Sequence, residues 1–189
     1  MIKKCISAMF ISTSLFASSV GININSDTVE FNGEYNIKNG GEYAQDTDYI
    51  IHGSFLRSKD KANTEKLYTL GAKVINPYLS ESGLSFGLGM KLAYADNLEG
   101  KDFTAFPLEL FGSYHFNEKF LLDLNLAYAP EVLAIQDALS YKESTLKVSY
   151  QLLENGYIYI GARAVKTEYE NIGTIKYDDN LFFGYKVKF

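Results

Sequence analysis

The sequence predicts an all-β fold, a transmembrane antiparallel up-and-down β-barrel of about ten strands, and three observations carry that prediction. The first is the stretch Leu181–Phe189. Read back in twos from Phe189 it gives Val187, Tyr185, Phe183 and Leu181, while Lys188, Lys186, Gly184 and Asn180 alternate with them. Successive side chains of a strand point to opposite faces, so one face is wholly apolar and the other mostly polar or small. In water such an aromatic edge strand invites pairing with other chains. A bilayer covers the face, and closing the sheet into a barrel removes the edge. The second observation is that the alternation recurs along the chain, while no run after residue 19 approaches 18 apolar residues. The third is the glycine content of the polar faces: Gly71, Gly87, Gly89, Gly161 and Gly184 alternate with the apolar positions. Glycine weakens a solvent-facing strand but suits a crowded lumen of small radius.

The chain opens with Met1-Ile2-Lys3-Lys4, an uncharged run from Cys5 to Ala17, and Ser18-Ser19. A basic start, a short apolar run and small residues predict a secretory signal peptide over residues 1–19, with the barrel over residues 20–189. Cys5, the single cysteine, falls in the leader, so the mature chain is expected to hold no disulfide and no thiolate ligand. Cleavage removes two of the 18 basic residues and none of the 23 acidic ones, moving the net charge from −5 to −7. An acidic chain without a basic cluster argues against nucleic acid as a partner. With 15 Tyr, 13 Phe and no Trp, the composition suits an all-β protein.

Taken in order, Val20, Ile22 and Ile24 alternate with polar or small residues up to a turn at Ser26-Asp27. Val29, Phe31, Tyr35 and Ile37 then complete a first hairpin. Lys38–Asp46 reads as a loop. Tyr49, Ile51 and Phe55 oppose Asp48, His52 and Ser54 before a charged loop from Arg57 to Thr64. Tyr68, Leu70, Ala72 and Val74 follow, and Asn76-Pro77 starts a turn. The longest alternation runs from Leu84 to Tyr94 and ends in the acidic stretch 96–102. Phe106–Phe116 and Leu122–Tyr128 flank a tight turn at Asn117-Glu118. Pro130-Glu131, followed by the spacing of Val132, Leu133, Ile135 and Leu139, predicts one short helical turn over residues 130–138. Leu146–Leu152 and Ile158–Ala164 form a hairpin about Glu154-Asn155-Gly156. A polar loop from Thr167 to Asp179 leads into the last strand. That makes ten strands, or eight if the first hairpin stays outside the wall. Tyr68, Tyr94, Tyr114, Tyr128 and Tyr185 lie near strand ends, where girdles at the membrane interfaces are expected.

The stretches Leu70-Gly71-Ala72-Lys73-Val74, Phe86–Tyr94 and above all Ala127-Tyr128-Ala129-Pro130-Glu131-Val132-Leu133, with Gly161-Ala162-Arg163 and the Phe183-Gly184-Tyr185 ending, resemble the YfaZ family of bacterial outer-membrane proteins. The resemblance runs through essentially the whole mature chain. It implies an outer-membrane β-barrel, sometimes described as porin-like, and it transfers no substrate and no binding residue.

Three function classes follow for such a barrel. A ten-stranded barrel is narrow, since about eight strands leave little more than side-chain space and open porins use about 16. The inward set mixes signs, and Lys73, Lys91, Glu109, Asp123, Lys147 and Arg163 are the candidate lumen-lining residues. Buried charges are tolerable when paired, so these residues make either a salt-bridged plug or a slender pore. The expected role is therefore structural or small-solute passage through a narrow or plugged, porin-like lumen. The second class is an interaction protein presenting the loops 57–64, 96–102 and 167–179. The third is a membrane-embedded lipid-modifying enzyme. His52 and His115, the two histidines, fall on the inward face, and Ser54 shares a face with His52. No motif supplies an orienting group or an oxyanion hole, so no catalytic residue is assigned and no enzyme is expected. Two histidines on separate strands without thiolates do not make a metal site. Gly87 and Gly89 precede no helix, so no phosphate loop and no cofactor is expected. The expected partners are outer-membrane lipid and, through Leu181, Phe183, Tyr185, Val187 and Phe189, the outer-membrane insertion machinery.

Overall fold

The structure is a computed structural model of the 189-residue chain. It describes residues 18–37, 47–59, 64–76, 83–96, 102–170 and 173–189. The alternating stretches form β1 (Ser19–Ile24), β2 (Thr28–Ile37), β3 (Asp48–Lys59), β4 (Thr64–Asn76), β5 (Leu84–Asp96), β6 (Phe103–Ala105), β7 (Leu108–His115), β8 (Phe120–Ala129), β9 (Ala134–Gln136), β10 (Ala138–Leu153), β11 (Gly156–Tyr169) and β12 (Gly173–Lys188). Every pairing is antiparallel. The sheet closes where β12 meets β1, with Ser19 opposite Lys188 and Ile24 opposite Phe183. Closure pairs both terminal strands and leaves the wall without a free edge.

These twelve segments make ten wall strands. β6 and β7 lie against β5 in one continuous register, Ala93 opposite Ala105 and Met90 opposite Leu108. Pro107 interrupts them because it has no N–H to give the ladder, while its carbonyl still accepts from Lys91 N–H at 3.1 Å. On the neighbouring strand, β8 ends at Ala129, a 3₁₀ turn spans Glu131–Leu133, and β9 resumes against β6. The Phe106 N–H donates to the Leu133 carbonyl at 2.8 Å and stitches the two interruptions together. The expected helical turn over 130–138 is therefore a one-turn excursion within a wall strand. The first hairpin, β1 and β2, belongs to the wall, which decides ten strands over eight.

Two expected loops are shorter than the sequence suggested. β3 continues through Arg57 to Lys59, and β11 and β12 extend to Tyr169 and from Gly173. Their polar residues pair in the ladder, because above the bilayer a wall strand needs no apolar face. The Lys38–Asp46 loop and residues 1–17 of the expected leader lie outside the described residues. Ser18 and Ser19 are described: Phe189 N–H donates to the Ser18 carbonyl and the Ser19 hydroxyl donates to Glu34.

The outer face is apolar around the wall, with Leu70, Leu88, Ile160, Leu181 and Phe183 all more than half exposed. A membrane rather than water suits such a surface. Aromatic pairs mark its rims. Tyr114 packs edge-on against Phe116 and Phe120 lies beside Tyr150, each at 4.9 Å, near the turns. Phe55, Tyr68 and Tyr94 form a second row across β3, β4 and β5. The turns at 116–119 and Glu154-Asn155 stand at the end that holds the termini: Lys188 N–H donates to the Asn155 carbonyl, and Gln151 N–H to the Lys119 carbonyl, both at 2.8 Å. Asn117 Oδ1 closes the first of these turns by accepting from the Lys119 and Phe120 N–H groups. An outer-membrane barrel of even strand number keeps both termini on the periplasmic side, so the opposite end is the outer one.

Candidate functional site in the barrel interior

Inward-facing positions fill the lumen in layers, and their order along the axis follows from strand register. At the outer end β10, β11 and β12, of 16, 14 and 16 residues, rise above the six-residue β1. β12 leans over the short strands and comes within 8 Å (Cα–Cα) of β4 on the far side of the wall. There Phe103 lies 5.8 Å from Tyr141, 6.3 Å from Tyr169 and 6.1 Å from Tyr177, ring centre to ring centre. Leu56, Leu67 and Val165, with Ala93, Ala95, Ala105, Ala129 and Ala138, pack round the four rings, and all of these residues are buried. This buried apolar layer, the lid, lies at the outer end of the barrel.

Beneath the lid the interior is ionic. Arg163 on β11 reaches Asp178 on β12, with Nη2 2.6 Å from Oδ2, and pairs with Glu30 on β2. The Thr28 hydroxyl and the Asn25 amide also donate to Asp178, and the Asn23 amide donates to Glu30. A second cluster centres on Lys91, whose Nζ lies 3.0 Å from Glu109 Oε1 and 2.8 Å from Glu143 Oε2. His52 Nε2 stands 2.9 Å from Glu109 Oε2, and the Tyr141 hydroxyl donates to Glu143 at 2.6 Å. Tyr141 therefore belongs to both layers, its ring in the lid and its hydroxyl in the network. Nearer the periplasmic end, Glu34 takes both Lys73, at 2.7 Å, and Lys186, while Lys147 meets Asp123 at 3.2 Å. Lys73 also lies over the Phe111 ring and Lys147 over the Tyr159 ring, at 4.5 and 5.0 Å.

Side-chain exposure grades along this axis. In the Arg163 and Lys91 clusters it runs from 0 to 14 %, and in the Glu34 and Asp123 pairs from 10 to 30 %. Water therefore reaches the network from the periplasmic side. The space between the clusters is a cavity of about 310 Å³, and all six residues singled out from the sequence (Lys73, Lys91, Glu109, Asp123, Lys147 and Arg163) line it. Each is held by an opposite charge, as burial requires.

Glycine explains how so many long side chains fit. A Cβ on Gly184 would stand 2.1 Å from the Tyr159 ring, and one on Gly71 would stand 2.5 Å from Lys91 Cβ and 2.8 Å from His52 Nε2. Glu30, Glu143 and Asp178 were not among the sequence candidates, although all three hold the cations that were. Asp178 sits where the sequence reads as a polar loop, and Glu143 was visible on the inward side of β10. His52 and Ser54 do not form a catalytic pair, since His52 faces Glu109 and the Ser54 hydroxyl is 2.9 Å from that of Thr69. His115 sits at the exposed end of β7, away from His52. Among the described residues no group of three or more His, Cys, Asp or Glu is arranged to hold a metal ion.

A family model described as "YfaZ precursor" matches residues 2–189. No curated protein matches. Among solved structures, the chain is similar to the outer-membrane-expressed OmpT of Vibrio cholerae, with 13% identity and a TM-score of 0.43, over 90% of this chain and 64% of that one. The in-vitro folded form of the same protein gives the same values. The NanC porin is similar over 90% of this chain and 97% of its own, with 9% identity and a TM-score of 0.45.

Proposed function

The chain belongs to the YfaZ family and is an outer-membrane β-barrel protein; from that premise we propose that it is a porin-type barrel with an occluded lumen, a closed cup that opens toward the periplasm. The observation that carries this reading is the lid of Phe103, Tyr141, Tyr169 and Tyr177 above a cross-linked ionic interior. Solute passage then requires displacing both the rings and the ion pairs below them, so the resting protein is a structural element of the membrane. Catalysis has no part in the proposal, because His52 and Ser54 are each engaged elsewhere.

Planar bilayer recording tests the reading. The unaltered protein is expected to give no sustained conductance, and the double variant Phe103→Ala/Tyr177→Ala is expected to give discrete steps. Steady open-channel current from the unaltered protein overturns it. Fatty-acid release from phospholipid that disappears in His52→Ala would instead establish the enzyme class.

A further inference from the structure

On the lipid-facing wall of β8, β10, β11 and β12, strand register stacks three unlike rows of side chains. The row nearest the bilayer centre is Leu124, Leu146, Ala162 and Leu181, successive cross-strand partners. Above it Ser144, Ala164 and Asp179 stand side by side, and above them Lys142, Lys166 and Lys176 do the same. The small side chains between the leucines leave a groove of about 470 Å³, floored by Ser144, Ala162 and Ala164, rimmed by Leu124, Leu146 and Leu181, and bordered by Asp179 and Asn180. It lies on the outer half of the wall, where the strands leave the apolar belt.

The lysine row is the second, independent feature. Like charges directly opposite one another on neighbouring strands destabilise a sheet, yet here three cations are consecutive partners. The acids beside them cancel only part of that charge. Glu168 lies 3.6 Å from Lys142 and Asp179 lies 2.7 Å from Lys176, and both pairs are about half exposed. Lys166, in the middle, has no carboxylate within ion-pair distance among the described residues, although Asp179 lies close enough to feel its charge. Tyr128 completes the edge, with Lys142 Nζ 5.9 Å from its ring centre. An apolar groove ending in three cations at the membrane surface matches a molecule with an acyl chain at one end and an anion at the other.

We propose that this face is a binding site for a lipid of the outer leaflet whose headgroup carries a phosphate monoester. The acyl chain lies in the Ser144/Ala162/Ala164 groove and the phosphate sits against Lys142, Lys166 and Lys176. Neither the groove nor the lysine row involves the lumen, so the site stands whether or not the lid proves to close the barrel.

The experiment is native mass spectrometry of the folded full chain released from phosphatidylcholine nanodiscs doped with lipid A, a glycolipid bearing two phosphate monoesters. One retained lipid A per barrel is expected, with dephosphorylated lipid A and phosphatidylcholine retained weakly. The triple variant Lys142→Gln/Lys166→Gln/Lys176→Gln is expected to lower retention by on the order of tenfold or more, since each basic group at a membrane surface contributes separately. Ala162→Phe, which fills the groove, is expected to lower it comparably. Heat-modifiable migration on a gel verifies that both variants fold. Equal retention of phosphatidylcholine and lipid A, or undiminished retention by the folded triple variant, overturns the proposal. The comparison of phosphorylated and dephosphorylated lipid uses the unaltered protein, so it decides even if a variant fails to fold.

Discussion

Arg163 holds two acids, whereas in an equally buried cluster Glu109 shares Lys91 with Glu143. That difference sets the size of the mutational effects. Arg163→Met strands Glu30 and Asp178 without a cation, and breaking a buried pair from one side costs about 3–5 kcal/mol. Glu109→Gln leaves Lys91 with Glu143 and costs about 1.5–3 kcal/mol, as for a lost hydrogen bond to a charged group. Urea unfolding from detergent micelles should rank the two in that order, and Glu30→Gln/Asp178→Asn should restore much of the Arg163→Met loss. Equal effects would show that the two clusters are not separately balanced. At Gly184 the constraint is steric, because the Tyr159 ring occupies the place of a side chain. Gly184→Val should destabilise by about 1–3 kcal/mol, with Tyr159→Ala in the same chain relieving it. The six charged candidates were legible because alternation assigns every strand residue to one of two faces. Which charge pairs with which was not, since alternation says nothing about height along the axis, and register alone brings Glu30 of β2 to Arg163 of β11.

Among the strands, β12 has the most to do: it closes the wall against β1, supplies Asp178 to the interior, and sends Tyr177 into the lid. Leu181, Phe183, Tyr185 and Phe189 on its outward face are exposed, and the expected recognition of this strand by the insertion machinery, through these residues and Val187, can be tested directly. Phe189→Ala is predicted to lower the amount of heat-modifiable barrel in outer-membrane fractions several-fold while barrel refolded in detergent stays intact; loss in both settings would mean a purely structural role. At the other end of the chain, cleavage after Ser19 predicts a mature protein starting at Val20, read by intact mass. A start at Ser18 or earlier would instead preserve the contacts of Ser18 and Ser19 with Phe189 and Glu34. The interruptions at Pro107 and Pro130 show why strand count and segment count differ. Proline breaks the ladder locally, but the register of β6 on β5 and of β9 on β6 continues the wall past it.

For the molecule as a whole, the role proposed for the lid is to keep the cylinder from conducting. Removing Phe103 and Tyr177 should open it, and the current that results should depend on the ion pairs beneath. Adding Lys73→Gln and Lys186→Gln to that double variant frees Glu34, and reversal-potential measurements in a salt gradient should then shift toward cation selectivity. No shift would mean that ions bypass the Glu34 layer. The order of the amino acids by itself determined that this is a barrel in a membrane: period-two alternation with lipid-compatible residues on one face and glycine and charge on the other has no other economical burial. Tertiary structure alone decided that four aromatic rings meet at the outer end and that the charges cancel in discrete clusters. Those outcomes depend on strand stagger and on β12 leaning across the short β1 and β2, geometry that brings residues more than a hundred positions apart into contact and leaves no periodic trace in the chain.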